Sequence, residues 1–379
     1  MKVPLAWHIL VHEKGRTALA LLGIFMAVVL VFTELGFFLA VPRGGLLLYD
    51  NLRFDLMLVS NQYEYQVQPG VLPRRDIDRL RRAPEVAAIA PLYFADAKWQ
   101  AGDGIWPDTF VIGLPIGPPR GMTIFTKDEI DRALGVLARP DTILVDQQTR
   151  AMFGPLRTGR EIRLNGHRET IGGTYRMGTG FMGLGVALIS EENFARLFPR
   201  RGLAFANLGL IRLKPGVEPA RAAADLEKRL GDATRIFTRN ALEAHEVAYW
   251  TTRTSVGIIF GSGLVIAIVV GIMTIYQSLA SQISRQLPQF ATLKAIGYRN
   301  RTLSATVLAM ALLLLLAAFV PAFLAAVGLY SVIRQETLLP VAMTGTRLAA
   351  VFAASLVMAA VSALLSIAGL RRAAPADVF

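Results

Sequence analysis

The stretch TALALLGIFMAVVLVFTELGFFLAV, Thr17–Val41, decides the class of fold. A helix that crosses a bilayer needs roughly 20 mainly apolar residues, and this run exceeds that with Glu34 as its only charge. Three more runs meet the same criterion and carry no charge at all: Val256–Ala280, Leu303–Ile333 and Leu348–Leu370. The chain has 379 residues, 53% of them hydrophobic, and a mean hydropathy of +0.45. That excess sits in the four runs, so the expected fold is an integral membrane α-helical protein with four transmembrane helices. The apolar core of the first run is longer than the roughly 7–15 residues of a secretory signal, and it reads as an uncleaved anchor.

The net charge of +12 would fit a nucleic-acid binder if it were spread over a soluble surface. Its distribution argues otherwise. Residues 42–253 hold 29 Lys/Arg against 24 Asp/Glu, whereas the short flanks and the 281–302 loop hold nine bases against Glu13 and Asp377. Short basic loops stay on the cytoplasmic side of a membrane, and long domains do not count in that rule. Lys2, Lys14 and Arg16 precede the first run; Arg285, Lys294, Arg299 and Arg301 lie between the second and third; Arg371 and Arg372 follow the fourth. Both termini and the 281–302 loop are therefore expected in the cytoplasm, with 42–253 outside. The chain has no cysteine, hence no disulfide or thiol chemistry.

The outer segment shows an internal echo. FDLMLVS (Phe54–Ser60) reads as a strand, LPRRDIDRLRRAP as a helix ended by Pro84, and EVAAIAPLYFADAKWQ as a second strand. The order recurs in FANLGLIRLK, PGVEPARAAADLEKRLG and DATRIFTR, with Pro219 in the first helical turn and Gly231 as the expected cap. A large α+β domain is thus expected between helices 1 and 2, with two β-α-β units bracketing a β-rich insert at about 101–200. In that insert EIRLNGHRETIG is a hairpin, because Asn165-Gly166 supplies the positive φ angles of a two-residue turn. The Gly-rich GGTYRMGTGFMGLGVALIS has a GxGxxG spacing but no lysine and no strand placed ahead of it, and it reads as a loop. GxxxxGK[ST] occurs nowhere in the chain, so no P-loop is expected here. At the N-terminus Val3, Trp7, Leu10 and Val11 fall on one helical face, as in a helix lying in the membrane interface. His8 and His12 are one turn apart but no carboxylate joins them, and no metal site is expected.

RQLPQFATLKAIGYRNRTL, Arg285–Leu303, separates the second and third runs with four basic residues and no acid. Pro288 can open a short helix over about Gln289–Ile296 that stops at Gly297, with Phe290 and Leu293 close to one face, Ile296 a further candidate for it, and Lys294 elsewhere. On the residues alone, a plain basic connection and a docking ridge both remain open.

QFATLKAIGYRN, together with YWTTRTSVGIIFGSGLVIAIVVGIMTIYQSLASQI ahead of it, resembles the FtsX-like, MacB-type permease family of ABC transporters, most of all its DevC subgroup. The N-terminal PLAWHILVHEKGRTALALLGIFMAVVL, the outer TILVDQQTRAMFGPLRTG and the C-terminal LRRAAPADVF fit the same subgroup, so the likeness covers essentially the whole chain. It implies a non-catalytic permease subunit of an exporter, paired as a homodimer and driven by two separate ATPase subunits. These would carry the ATP and Mg, and this chain would bind no cofactor. It also implies an ATPase-coupling site at Pro288, Gln289, Phe290, Ala291, Thr292, Leu293, Lys294, Ala295, Ile296, Gly297 and Tyr298. Gln289 departs from the family, which usually has an acidic residue there, so an ion pair to the ATPase at that position is not implied. A membrane-fusion adaptor and a TolC-like outer-membrane duct are the further partners, in a bacterial inner membrane. A non-transporting regulator of a periplasmic enzyme is the alternative within the same family.

The expected boundaries are 1–16 interfacial helix, 17–41 first span, 42–253 outer domain, 256–280 second span, 281–302 coupling segment, 303–333 third span, 334–347 short outer loop, 348–370 fourth span and 371–379 tail. Glu34 is the candidate intramembrane polar site. It is the eighteenth residue of its span, toward the outer leaflet. An isolated carboxylate near mid-bilayer costs about 2.5–3.5 kcal/mol on insertion scales, and a snorkelled or protonated interfacial position, or a polar contact with a partner copy or amphiphilic cargo, would relieve it.

Overall fold

The computed structural model describes residues 7, 10–12, 14–100, 104, 106–116, 123–286, 300–337 and 341–372. The chain divides into two compact units, one of residues 1–40, 255–337 and 341–379, the other of 41–254 with 338–340.

The first unit is helical. Among the described residues four helices are long and apolar enough to span a membrane: α1 (Lys14–Asn51), a later pair of Ser255–Arg285 and Asn300–Thr337, and Gly345–Arg372. Their shared core joins Ile24, Val28 and Phe32 of α1 to Ala267 and Ile275, Met310 and Leu314, and Met358 and Ala363 of the other three. Phe32 packs its ring against Phe319 and Phe323, with centroids 5.7 and 6.3 Å away. Such aromatic pairs contribute about 0.5–1.5 kcal/mol beyond their area. The first helix does not stop at Val41, where the apolar run ends, but continues to Asn51 through Pro42. Proline lacks the N–H that would bond the Phe38 carbonyl, and it interrupts the ladder there without ending the helix.

The second unit is built on one nine-stranded sheet. Its strands and helices in chain order are β1 (Leu56–Ser60), β2 (Leu72–Pro73), α2 (Arg74–Leu80), β3 (Val86–Gln100), β4 (Asp108–Leu114), α3 (Asp128–Ala133), β5 (Thr142–Asp146), β6 (Glu161–Leu164), β7 (His167–Tyr175), β8 (Val186–Ser190), α4 (Glu191–Leu197), β9 (Phe205–Ala206), β10 (Leu208–Leu213), α5 (Pro219–Glu227), β11 (Thr234–Thr238) and α6 (Arg239–Thr252). The spanning helices after it are α7 (Ser255–Arg285), α8 (Asn300–Thr337) and α9 (Gly345–Arg372).

Both expected β-α-β units form, but they interlock. The order β11-β1-β10-β3 puts β10 between β1 and β3, and β1 between β10 and β11, every neighbouring pair antiparallel. The period-2 alternation of β1 then serves two cores. Leu56 and Leu58 face a layer holding Ile77 and Leu80 of α2 and Leu226 of α5. Met57 and Val59 face Leu48 of α1, Leu52 just past its end and Leu242 of α6. Each fully buried leucine is worth about 1.5–3 kcal/mol relative to exposure.

The long β3 runs on into the insert, whose strands follow in the order β3-β4-β8-β5-β7-β6. Trp99 and Gln100 at the end of β3 then pair with Leu164 and Arg163 of β6, which closes the ring. Closure removes the unpaired edges that an open five-strand insert would expose. Asn165 (φ 50°) and Gly166 (φ 83°) form the expected two-residue turn between β6 and β7. Pro219 opens α5 as expected, behind Glu218, whose carboxylate accepts the N–H groups of Ala220 and Arg221 at 3.0 and 2.8 Å.

Two helix stops differ from the sequence reading. The helix α2 ends at Leu80, ahead of Pro84, and α5 ends at Glu227, ahead of Gly231. In each case the orphan carbonyls of the last turn are met by tightened turns, Ala83 N to Leu80 O at 3.0 Å and Leu230 N to Glu227 O at 3.0 Å. No glycine cap or proline stop is then needed.

Candidate functional site

The coupling residues Pro288, Gln289, Phe290, Ala291, Thr292, Leu293, Lys294, Ala295, Ile296, Gly297 and Tyr298 lie outside the described residues, as do Val3 and His8. Of the N-terminal face, Leu10 is buried and accepts the Thr17 hydroxyl at its carbonyl, 2.7 Å away, while Trp7 and Val11 are exposed. Among the described residues no group of three His, Cys, Asp or Glu side chains is placed to hold a metal ion.

The membrane unit holds a small set of polar contacts. Glu34 is partly exposed, and its carboxylate rests on Gly263 of α7, where any Cβ would collide with it. Tyr330 of α8 donates its hydroxyl to the Phe32 carbonyl, and its ring fits over Gly36. The buried Arg347 guanidinium lies over the Tyr330 ring, 5.6 Å from its centroid, and one of its nitrogens donates to the Ala342 carbonyl. Ser362 of α9 donates to the Ile272 carbonyl of α7 at 2.7 Å. The outward face of α7 carries Ile258, Ile259, Val265, Ile266, Val269 and Met273, all exposed. Lipid tails or another apolar helix can cover such a face.

In the second unit the end of α1, the 61–66 segment and α6 converge on one buried carboxyl. Glu246 is completely buried. One oxygen accepts the Tyr63 hydroxyl, the other accepts Trp250 Nε1–H at 3.1 Å, and the Gln66 backbone N–H reaches the same group. Tyr63 in turn shares a hydrogen bond with the Tyr49 hydroxyl, 2.6 Å away. Aromatic rings seal the cluster. Trp250 stacks on Phe181 at 4.6 Å and meets Tyr65 edge-on at 5.3 Å, and its indole occupies the space beside Gly45 where a side chain would stand. Burial pushes the Glu246 carboxyl up to about 7, with the donors from Tyr63, Trp250 and Gln66 acting in the opposite direction.

A second buried carboxylate fixes the Gly-rich loop. Asp146, at the end of β5, accepts the Gln148 N–H at 2.7 Å and the Met177 and Gly178 N–H groups at 2.8 Å each. Past it the chain turns through Gly180 (φ 51°), where a Cβ would stand 2.5 Å from the Gly44 carbonyl oxygen. The GxGxxG spacing is thus used for close approach to the end of α1. The Glu246 cluster was not read from the sequence. Its one visible signal is the spacing of Glu246, Tyr249 and Trp250 on a helical face, while Tyr49 and Tyr63 come from far away in the chain.

Among the described residues, four helices fit to span a membrane, with a large interlocked α+β domain between the first and second in sequence, define a membrane-anchored protein with one large domain outside the spans. Two family models cover the chain: the MacB-like periplasmic core domain matches residues 17–229, and the FtsX-like permease C-terminal domain matches 261–375. The chain belongs to the FtsX/MacB-type permease family, the permease component of ABC-type transporters, whose membership implies an ABC ATPase partner. No curated protein matches it. Solved structures similar to it include the periplasmic region of MacB from Actinobacillus actinomycetemcomitans, at 10% identity over 51% of this chain and 92% of that one, TM-score 0.38. The extracellular domain of the noncanonic ABC-type transporter YknZ from Gram-positive bacteria aligns at 13% identity over 49% of this chain and 99% of that one, TM-score 0.32. A domain of a putative permease from Porphyromonas gingivalis aligns at 16% identity over 50% and 88%, TM-score 0.30. The family assignment rests on the two family models.

Proposed function

We propose that this chain is the transmembrane subunit of an ABC exporter that moves an amphiphilic substrate. The observation that carries the reading is the match of both family models to one chain with four spanning helices. In this reading a separate ATPase, holding ATP and Mg, docks on the cytoplasmic segment around Phe290 and Leu293. Two copies of the chain pair in the inner membrane, with their termini in the cytoplasm and their large domains in the periplasm. Nucleotide-driven motion then passes along the spans to the outer domain, which works with a periplasmic adaptor and an outer-membrane duct. The exposed apolar face of α7 supports pairing, because it offers surface for a second copy.

The test is co-purification of the partner ATPase with the wild-type chain and with Phe290→Ala/Leu293→Ala. Truncating a central interface anchor typically costs about 2 kcal/mol or more, some thirtyfold in affinity. The double variant should lose the ATPase while still inserting in the membrane, and Lys294→Ala should retain it. Undiminished binding by the double variant would refute the docking site. A peptidoglycan hydrolase recovered in place of an adaptor would favour the regulator reading.

A further inference from the structure

We propose that Glu246 is a proton-operated latch that ties the end of α1 to α6 within the outer domain, closed when its carboxyl holds a proton and loosened when it does not. Geometry places the latch. Glu246 joins three separated stretches of chain: Tyr49 on α1, Tyr63 and Gln66 on the segment after β1, and Trp250 on its own helix. Gly45 lets the Trp250 indole pack directly on α1, and Phe181 closes the far side of that indole. By sequence, both tied elements adjoin spans: α1 is continuous with the first, and Trp250 precedes the start of α7 at Ser255.

The protonation states differ in charge, not in hydrogen-bond count. With the proton on, the carboxyl is neutral, and the row Glu246–Tyr63–Tyr49 has donors and acceptors for every link. With the proton off, the carboxylate keeps its donors, but a full negative charge is buried with no ion pair among the described residues. A buried unpaired charge is relieved by opening to water. Among the described residues no cation acts on Glu246 itself. From α1 the facing titratable group is Tyr49, with Arg43 and Asp50 nearby on that helix. From the segment after β1 come Tyr63, Glu64 and Tyr65. From α6 come His245, packed on Tyr63, and Tyr249, bonded to Glu64, with Arg239 and Glu243 in its first turns. The Arg239 guanidinium is engaged by the Tyr49 and Leu52 carbonyls at 3.0 and 3.2 Å. The glycine loop contributes Phe181, which carries no charge. Gln66, fully buried, has no hydrogen-bond partner among the described residues for either side-chain amide atom, so the closed cluster already contains uncompensated polar atoms. That makes the joint easier to open than its dense packing alone would give.

The sign of the effect follows. A carboxyl whose pKa is raised in the closed state, here to about 7 from 4.5, favours closure fully at low pH and loses that contribution as pH rises through the window to about 7. Within that window, the closed-to-open ratio should fall by about tenfold per pH unit.

The experiment is amide hydrogen exchange by mass spectrometry on the full chain in lipid nanodiscs, at pH values from about 5 to 8.5 and corrected for intrinsic exchange. Peptides covering 61–70 and 239–252 report the latch, and peptides covering 219–230, which hold none of the buried carboxyls, serve as an internal control. The expected result is a fall in latch protection between about pH 5 and 7, a plateau above, and a flat profile in Glu246→Gln. A flat wild-type profile, or a slope that survives in Glu246→Gln, overturns the proposal. Should Glu246→Gln not fold, Tyr63→Phe provides the second readout. It removes a donor that favours the ionised form, so the upper end of the slope should move to higher pH. An unmoved profile in Tyr63→Phe overturns the proposal equally. These outcomes do not depend on transport or on ATPase docking.

Discussion

Replacing Asp146 by alanine tests whether one buried carboxylate fixes the whole Gly-rich loop. The side chain is completely buried at the end of β5 and accepts three backbone N–H groups, from Gln148, Met177 and Gly178, at 2.7, 2.8 and 2.8 Å. Alanine leaves all three donors without that acceptor. A buried donor left unmet costs about 1–3 kcal/mol, but the three share one site, and a water or a loop shift recovers part of the loss. A total of about 3–5 kcal/mol is therefore expected, at the upper end of single substitutions. Asparagine keeps the shape and one acceptor oxygen. With that oxygen at the Oδ2 position it serves Met177 and Gly178, so about half of the loss should return. The assay is urea unfolding of the full chain in detergent followed by tryptophan fluorescence, since Trp99 and Trp250 are buried in the outer domain. A wild-type midpoint for Asp146→Ala would refute the argument. So would an Asn variant less stable than the Ala variant, because no acceptor count could explain it.

Other expectations concern different parts of the same domain. Glu169 on β7 is nearly fully buried; burial pushes its carboxyl to about 7 while the Asn193 amide, donating at 2.8 Å, pulls the other way. The folded state thus holds a proton that the unfolded state releases, so stability should fall as pH rises from 4.5 to about 7. Glu169→Gln should remove up to about 3 kcal/mol of that slope, and an unchanged slope in pH-dependent urea titration would count against it. Gly180→Ala should cost more than Gly159→Ala. Both glycines have positive φ, 51° and 85°, but only the first Cβ would meet another group, the Gly44 carbonyl oxygen. Equal unfolding midpoints would show that the loop yields freely.

Some of this protein is local, and the sequence alone determines it. A bilayer span is a contiguous run judged against a fixed thickness, so four spans can be read without knowing what any residue touches. The Asn165-Gly166 turn and the Pro219 helix start are also settled within a few residues, and the structure shows both. The β-α-β units were legible for the same reason. Their interlocking was not, because which strand lies beside β1 depends on pairings with β10 and β11, more than a hundred residues away. The closure of the insert depends likewise on Trp99 reaching Leu164. Glu34 stands out in sequence because an apolar run makes any charge visible. Glu246 does not, since in an ordinary amphipathic helix a glutamate reads as solvated. Only the tertiary fold buries it between Tyr63 and Trp250, and burial beyond the reach of water is a property of packing that no local pattern encodes.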